Sequence, residues 1–125
     1  VKSLIKETAV LEHRRSRRKR VQTAIKVFDA ITDQAIGHVG NLSADGMLLV
    51  SSRELPDDAL FQLTFTLPGR AAEQPRRVEI GVHEQWGEPA SFPGQYWVGF
   101  RIIDIAAEDH KALTAWVETR DEVDA

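Results

Sequence analysis

Six of the eight residues from His13 to Arg20 are Arg or Lys, in the run EHRRSRRKR. Within it Arg14 and Arg18 stand four apart, on one side of either a helical turn or an extended arm. A guanidinium fork grips a phosphate, or the O6/N7 edge of guanine, through two parallel hydrogen bonds, and it stacks on flat rings. Farther along, NLSADG sets Asn41 and Ser43 two apart, so on a strand they point the same way. Asn brings donors and an acceptor, and the Ser hydroxyl does either job. Gly46 permits positive φ and lets a ligand approach the backbone. Arginines, an Asn and a Ser in this pattern suit a ligand that is both anionic and guanine-bearing.

The charge balance narrows the size of that ligand. The chain is net −3, with 16 Lys and Arg against 19 Asp and Glu. From Val21 onward eight basic residues face 17 acidic ones. A long nucleic acid lying across such a body meets repulsion, whereas a small anion held at one end does not. No nucleic-acid polymer is expected as a partner.

At 125 residues and 42% hydrophobic, the chain has the length and composition of one globular domain with its own core. It has no cysteine, which excludes disulfides, thiolate metal sites and a Cys nucleophile. No apolar run reaches the roughly 18 residues of a membrane span. Both features fit a cytoplasmic protein. The chain opens on Val1, as a fragment or a processed chain would.

The elements that must position these residues follow from periodicity. The opening stretch, 1–12, reads as a short helix or linker, and 13–20 as a basic arm. VQTAIKVFD alternates Val21, Thr23, Ile25 and Val27 on one side, a strand. AITDQA is a turn and IGHVGNLS the second strand. SADG is a second turn, since Asp-Gly is a strong hairpin signal. MLLVSS is a buried third strand. LFQLTFTL alternates Phe61, Leu63, Phe65 and Leu67 inward; RRVEIGVHEQW does so with Val78, Ile80 and Val82. QYWVGFRII puts Tyr96, Val98, Phe100 and Ile102 on one face. Asp104 is positioned to cap a helix over AAEDHKALTAWVETR, with Leu113, Trp116 and Val117 at helical spacing. Residues 121–125 are a tail. The expected fold is mainly β: a small six-stranded antiparallel barrel with a C-terminal α-helix and a flexible or helical N-terminal arm. Trp97, Trp116 and the Phe residues are expected in its core.

The first hairpin joins the two polar clusters. With its turn at 31–34, cross-strand partners place Asn41 near Ala24 and Ser43 near Gln22. The far end of the second strand thus returns beside the start of the first, and the basic run ends there. A mobile arginine arm should face a polar hairpin mouth.

Here the chain resembles the PilZ domain family, over roughly His13 to Arg120. Arg14-xxx-Arg18 matches the family's RxxxR, and Asn41-x-Ser43-xx-Gly46 its [D/N]xSxxG, with a strand–turn–strand between them. The order of strands, the late YWVGFRI strand and the final helix agree. The family's fold is a six-stranded split barrel, and its members bind the bacterial second messenger cyclic di-GMP. The resemblance implies that Arg14 and Arg18 grip guanine and phosphate from the arm, while Asn41, Ser43 and Gly46 hold the other side. Arg15-xxx-Lys19 is a second match to the arginine register, so Arg15 joins the candidates, with Arg17 a weaker one. Trp86, in HEQWGE, ends a strand beside a loop, where some members stack an aromatic ring on guanine. The resemblance implies no cofactor beyond this ligand. The expected partner is an effector protein or a linked upstream domain.

Other chemistry finds little support. His38, His83 and His110 are scattered without metal-ligand spacing, so no metal site is expected. No carboxylate pair stands out as general acid and base, and no nucleophile sits in an activating motif, so catalysis is not expected. The alternatives to a cyclic di-GMP receptor are a PilZ-like protein-interaction adaptor that ignores the nucleotide and a small-barrel nucleic-acid binder. The first would fold well and give no response to the nucleotide. The second requires exposed aromatics over a basic groove.

Overall fold

The computed structural model of the chain describes residues 18–20, 24–69 and 74–118, the first three by their backbone. The period-two segments form strands: β1 Arg18–Arg20, β2 Lys26–Asp29, β3 Ala35–Ser43, β4 Gly46–Ser51, β5 Leu60–Leu67, β6 Arg76–Pro89 and β7 Tyr96–Ile105. One helix, α1, Ala107–Glu118, follows. The sheet runs β1-β3-β2-β5-β6-β7-β4, and β4 returns to pair with β3. Strands β2 to β7 therefore close a six-stranded antiparallel barrel. The long β3 pairs along one edge first with β2 and then with β1, and along its other edge with β4.

Closure gives the barrel a single interior, and the alternating positions fill it. Val27, Ile36, Leu42, Leu49, Leu63, Val78, Ile80 and Val82 are fully buried. The Phe61 and Phe100 rings meet edge to face, with centroids 5.8 Å apart. Each such side chain stabilises the fold by about 1.5–3 kcal/mol relative to its exposed state. Helix α1 buries Leu113 and Val117 and packs Trp116 against the same core. It lies against β1, β3 and β6. Asp109, in its first turn, accepts hydrogen bonds from Arg76 Nη2 at 2.9 Å and from the Glu79 amide at 3.4 Å, which fixes its entry to β6.

Four expectations are corrected. Asp104 does not cap the helix; it remains in β7, opposite Gly81. The β6–β7 ladder runs on past it, and α1 starts after Ala106, whose carbonyl accepts from His110 N at 2.8 Å. Ladder pairing outweighs a single capping residue here. Trp97 is not in the core, and neither is Phe92, which is exposed in the loop before β7. The neighbour of Trp97, Val98, points inward, so the indole lies half-buried on the outer face, where a Cβ on Gly40 would stand 3.3 Å from its Cζ3. The end of the basic arm is strand rather than free arm, since Arg18–Arg20 pair with β3.

The fourth correction is the register of the first hairpin. Asn41 stands opposite Arg20 and Ser43 opposite Arg18, in place of Ala24 and Gln22. Nearer the turn, Lys26 faces His38, one residue away from the Val39 that the expected register requires. Between these two pairings the sequence has five residues (21–25) where β3 has two (39 and 40). The three extra residues slide the arginines up to the hairpin mouth. The expected helix or linker at 1–12, residues 13–17 of the arm and the tail at 121–125 lie outside the described residues.

Candidate functional site

The barrel's outer face carries the site, and strand alternation decides which residues reach it. Leu42 points into the core, so Asn41 and Ser43 belong to the outer side of β3. Met47 and Leu49 point in, so Gly46 and Leu48 are outer on β4. Val98 and Phe100 point in and Ile102 packs on the core, so Gly99 and Arg101 are outer on β7.

Antiparallel pairing arranges these positions in two adjacent rows across the sheet. The first runs from Arg18 on β1 to Ser43 on β3, across the turn to Gly46, then to Arg101 on β7 and His83 on β6. The second runs from Arg20 to Asn41, Leu48, Gly99 and Trp86. The indole of Trp86 lies flat against Gly99: a Cβ there would stand 2.6 Å from Cε2. That shifts the ring one strand toward Asn41, leaving a span of two strand spacings, roughly 10 Å, between them.

The hairpin joining β3 and β4 is held by a side chain. Ser43 is fully buried. Its hydroxyl donates to Asp45 Oδ1 at 2.8 Å, has the Gly46 carbonyl within 3.3 Å, and accepts from the Asp45 amide at 3.4 Å. Gly46 permits positive φ but does not use it here. Among the described glycines only Gly37 and Gly94 have positive φ, and Ala44 and Asp45 are absent from the left-handed region too. The chain reverses without the left-handed residues that Asp-Gly usually supplies, because the Ser43 network closes the turn. Ile102 N donates to Asp45 O at 2.9 Å, which ties the turn to β7.

Beside the rows, loop 52–59 docks on β6. Asp58, at φ 61°, donates its amide to Glu84 Oε1 at 2.7 Å and faces His83 Nε2 through its carboxylate at 2.5 Å. The Gln85 amide nitrogen lies 3.0 Å from His83 Nδ1 and donates to the His83 carbonyl. Glu84 is buried, and desolvation raises its pKa above 4.5; the Asp58 amide opposes that shift.

Of the sequence candidates, Asn41, Ser43, Gly46 and the backbone of Arg18 come together at the hairpin mouth, with Trp86 farther along the row of Asn41, within β6 rather than at its end as expected. Arg14, Arg15 and Arg17 lie outside the described residues. Sequence reasoning missed Arg101, which only the β4–β7 register brings opposite Gly46. It also missed Arg20 and Leu48, the immediate neighbours of Asn41. No group of three or more metal-ligating side chains occurs among the described residues, and none of their helices is long and apolar enough to cross a membrane.

A family model described as the PilZ domain matches residues 12–119. The solved structure of the Bacillus subtilis inhibitor of motility, MotI/DgrA, is similar to this chain, with a TM-score of 0.67 at 17% identity. The likeness covers 82% of this chain and 48% of that one, so the chain spans about half the length of that relative. No curated protein matches the chain.

Proposed function

The chain belongs to the PilZ domain family, a family of cyclic di-GMP receptors and regulatory binding domains rather than enzymes, and from that premise we propose that it binds cyclic di-GMP on the outer face of its barrel. In this reading the arginines of the basic run, Arg14 and Arg18 foremost with Arg15 and Arg17 as neighbours, take phosphate and guanine. Asn41, Ser43 and Gly46 form the opposing wall, and Trp86 stacks on a base. The observation that carries the proposal is the register of β1 on β3. It sets Arg18 opposite Ser43 and Arg20 opposite Asn41, so the second arginine of RxxxR shares a rung with the serine of NxSxxG. The Ser43 network gives Ser43 a definite part: it shapes the hairpin mouth against which a ligand rests.

The ligand's two phosphates neutralise the like charges of the basic run. This changes the surface offered to an effector protein or a linked domain, a ligand-driven ordering switch. The setting in which such a messenger is met is the bacterial cytoplasm. Calorimetric titration of the purified chain with cyclic di-GMP, with GTP as control, tests the reading. Saturable micromolar or tighter binding that is absent with GTP is expected, and Arg14→Ala and Arg18→Ala should each abolish tight binding while the thermal melt is retained. A folded wild-type chain that gives neither heat nor NMR shifts with the dinucleotide would leave a protein-interaction adaptor.

A further inference from the structure

We infer that Arg101 is a third anion-binding arginine of this site, supplied by the barrel wall rather than by the basic run. The inference rests on the cyclic di-GMP reading above and adds a contact that the RxxxR and NxSxxG pattern does not contain.

Three observations carry it. The first is position. Arg101 pairs directly with Gly46 on β4 and with His83 on β6, so it continues the rung that holds Arg18 and Ser43. Gly46 has no side chain, and nothing of its own stands between Ser43 and Arg101 on that rung. The second is rigidity. The Asp45 carbonyl accepts from the adjoining Ile102 amide at 2.9 Å, which locks the β7 backbone to the hairpin turn. The Cα that carries the guanidinium therefore keeps a fixed place relative to the hairpin mouth. The third is charge. Arg101 is the sole Lys or Arg on β3, β4 and β7. It is exposed, and the neighbouring carboxylate of Asp58 is engaged by His83.

The ligand's own symmetry makes such a residue useful. A dinucleotide with two phosphates and two guanines presents two equivalent anionic halves. Arginines approaching from β1 reach one side of it. A cation two strands across the wall from Ser43, roughly 10 Å away, meets the other. A fork in that place binds either a phosphate or a guanine edge bidentately.

The test is calorimetric titration of the wild-type chain, Arg101→Ala, Arg101→Lys and Arg77→Ala with cyclic di-GMP, with a thermal melt of each. Arg77 is an exposed arginine at the opposite end of β6 and controls for loss of bulk positive charge. Arg101→Ala should melt like wild type and bind about tenfold or more weakly, while Arg77→Ala binds as wild type does. Partial recovery in Arg101→Lys assigns the contact to a phosphate, and no recovery assigns it to a guanine edge read by the fork. Equal affinity in Arg101→Ala and wild type overturns the inference and leaves the receptor reading standing, as does an equal loss in Arg77→Ala. A wild-type chain that does not bind overturns the receptor reading itself, and this inference with it.

Discussion

The indole of Trp86 occupies the space that a side chain on Gly99 would need. A Cβ added at Gly99 would stand 2.6 Å from Cε2 and 3.0 Å from Cδ1, well inside contact distance. The two residues face each other across the β6–β7 ladder, next to a bulge between Glu84 and Trp86. The bulge turns the ring and the glycine receives it. A flat aromatic surface is thereby fixed on the outer wall, in the same row as Asn41.

Gly99→Ala should therefore act through Trp86. The added methyl drives the ring off β7 or forces the strands apart, and overpacking of this kind costs about 1–3 kcal/mol. In a Trp97→Phe, Trp116→Phe background the Trp86 emission should shift to the red, and cyclic di-GMP affinity should fall. With Trp86→Ala already in place, Gly99→Ala should cost little, because the group it strikes is gone. Additive losses in the double variant would show that Gly99 is constrained by something other than the indole.

Ser43→Ala separates two roles for one hydroxyl. The group is buried and closes the turn through Asp45 and Gly46. Its removal takes these hydrogen bonds out of the turn, at a net cost of about 0.5–1.5 kcal/mol, since Asp45 is exposed and water replaces part of what is lost. Urea unfolding should show that loss, and weaker dinucleotide binding should accompany it because the hairpin mouth loosens. Wild-type stability together with lost binding would instead make the hydroxyl a direct ligand contact.

The elements that the sequence revealed are those governed by local alternation. A closed barrel has one interior, so Leu63, Phe65, Val78, Ile80 and Val82 declare their strands without ambiguity. The helix was readable for the same reason, from Leu113, Trp116 and Val117. The Asn41–Ser43 pair and its nearness to the basic run were readable because a hairpin is local. Its register was not, since the three extra residues of sequence between Arg20 and Lys26 leave no mark in the hydrophobic pattern. Arg101 was invisible because it pairs with Gly46, 55 positions earlier in the chain, and no spacing rule spans that gap. Trp97 was misplaced because YWVGF is apolar at successive positions, so alternation cannot tell the inner face of β7 from the outer. Asp104 carried a real capping signal that β-pairing overrode.

Glu84 gives the fold a pH dependence whose sign is fixed. Burial raises its folded-state pKa above the ordinary 4.5, and the nearby Asp57 and Asp58 charges add to that, against the Asp58 amide and His83. Between 4.5 and the raised value the folded chain holds a proton that the unfolded chain has released. The folded state thus binds more protons there, and this group's contribution to stability falls as pH rises through the window. Glu84→Gln removes the ionisation while keeping an oxygen to accept the Asp58 amide. At neutral pH the variant should melt at or above the wild-type temperature. The difference should shrink as pH falls through the window, and it levels off below 4.5, where the wild-type carboxyl is protonated in both states. Melting curves of both proteins over this range decide the matter: a gap that widens on acidification would mean that the ionised carboxylate, rather than the neutral acid, is the form that holds loop 52–59 to the barrel.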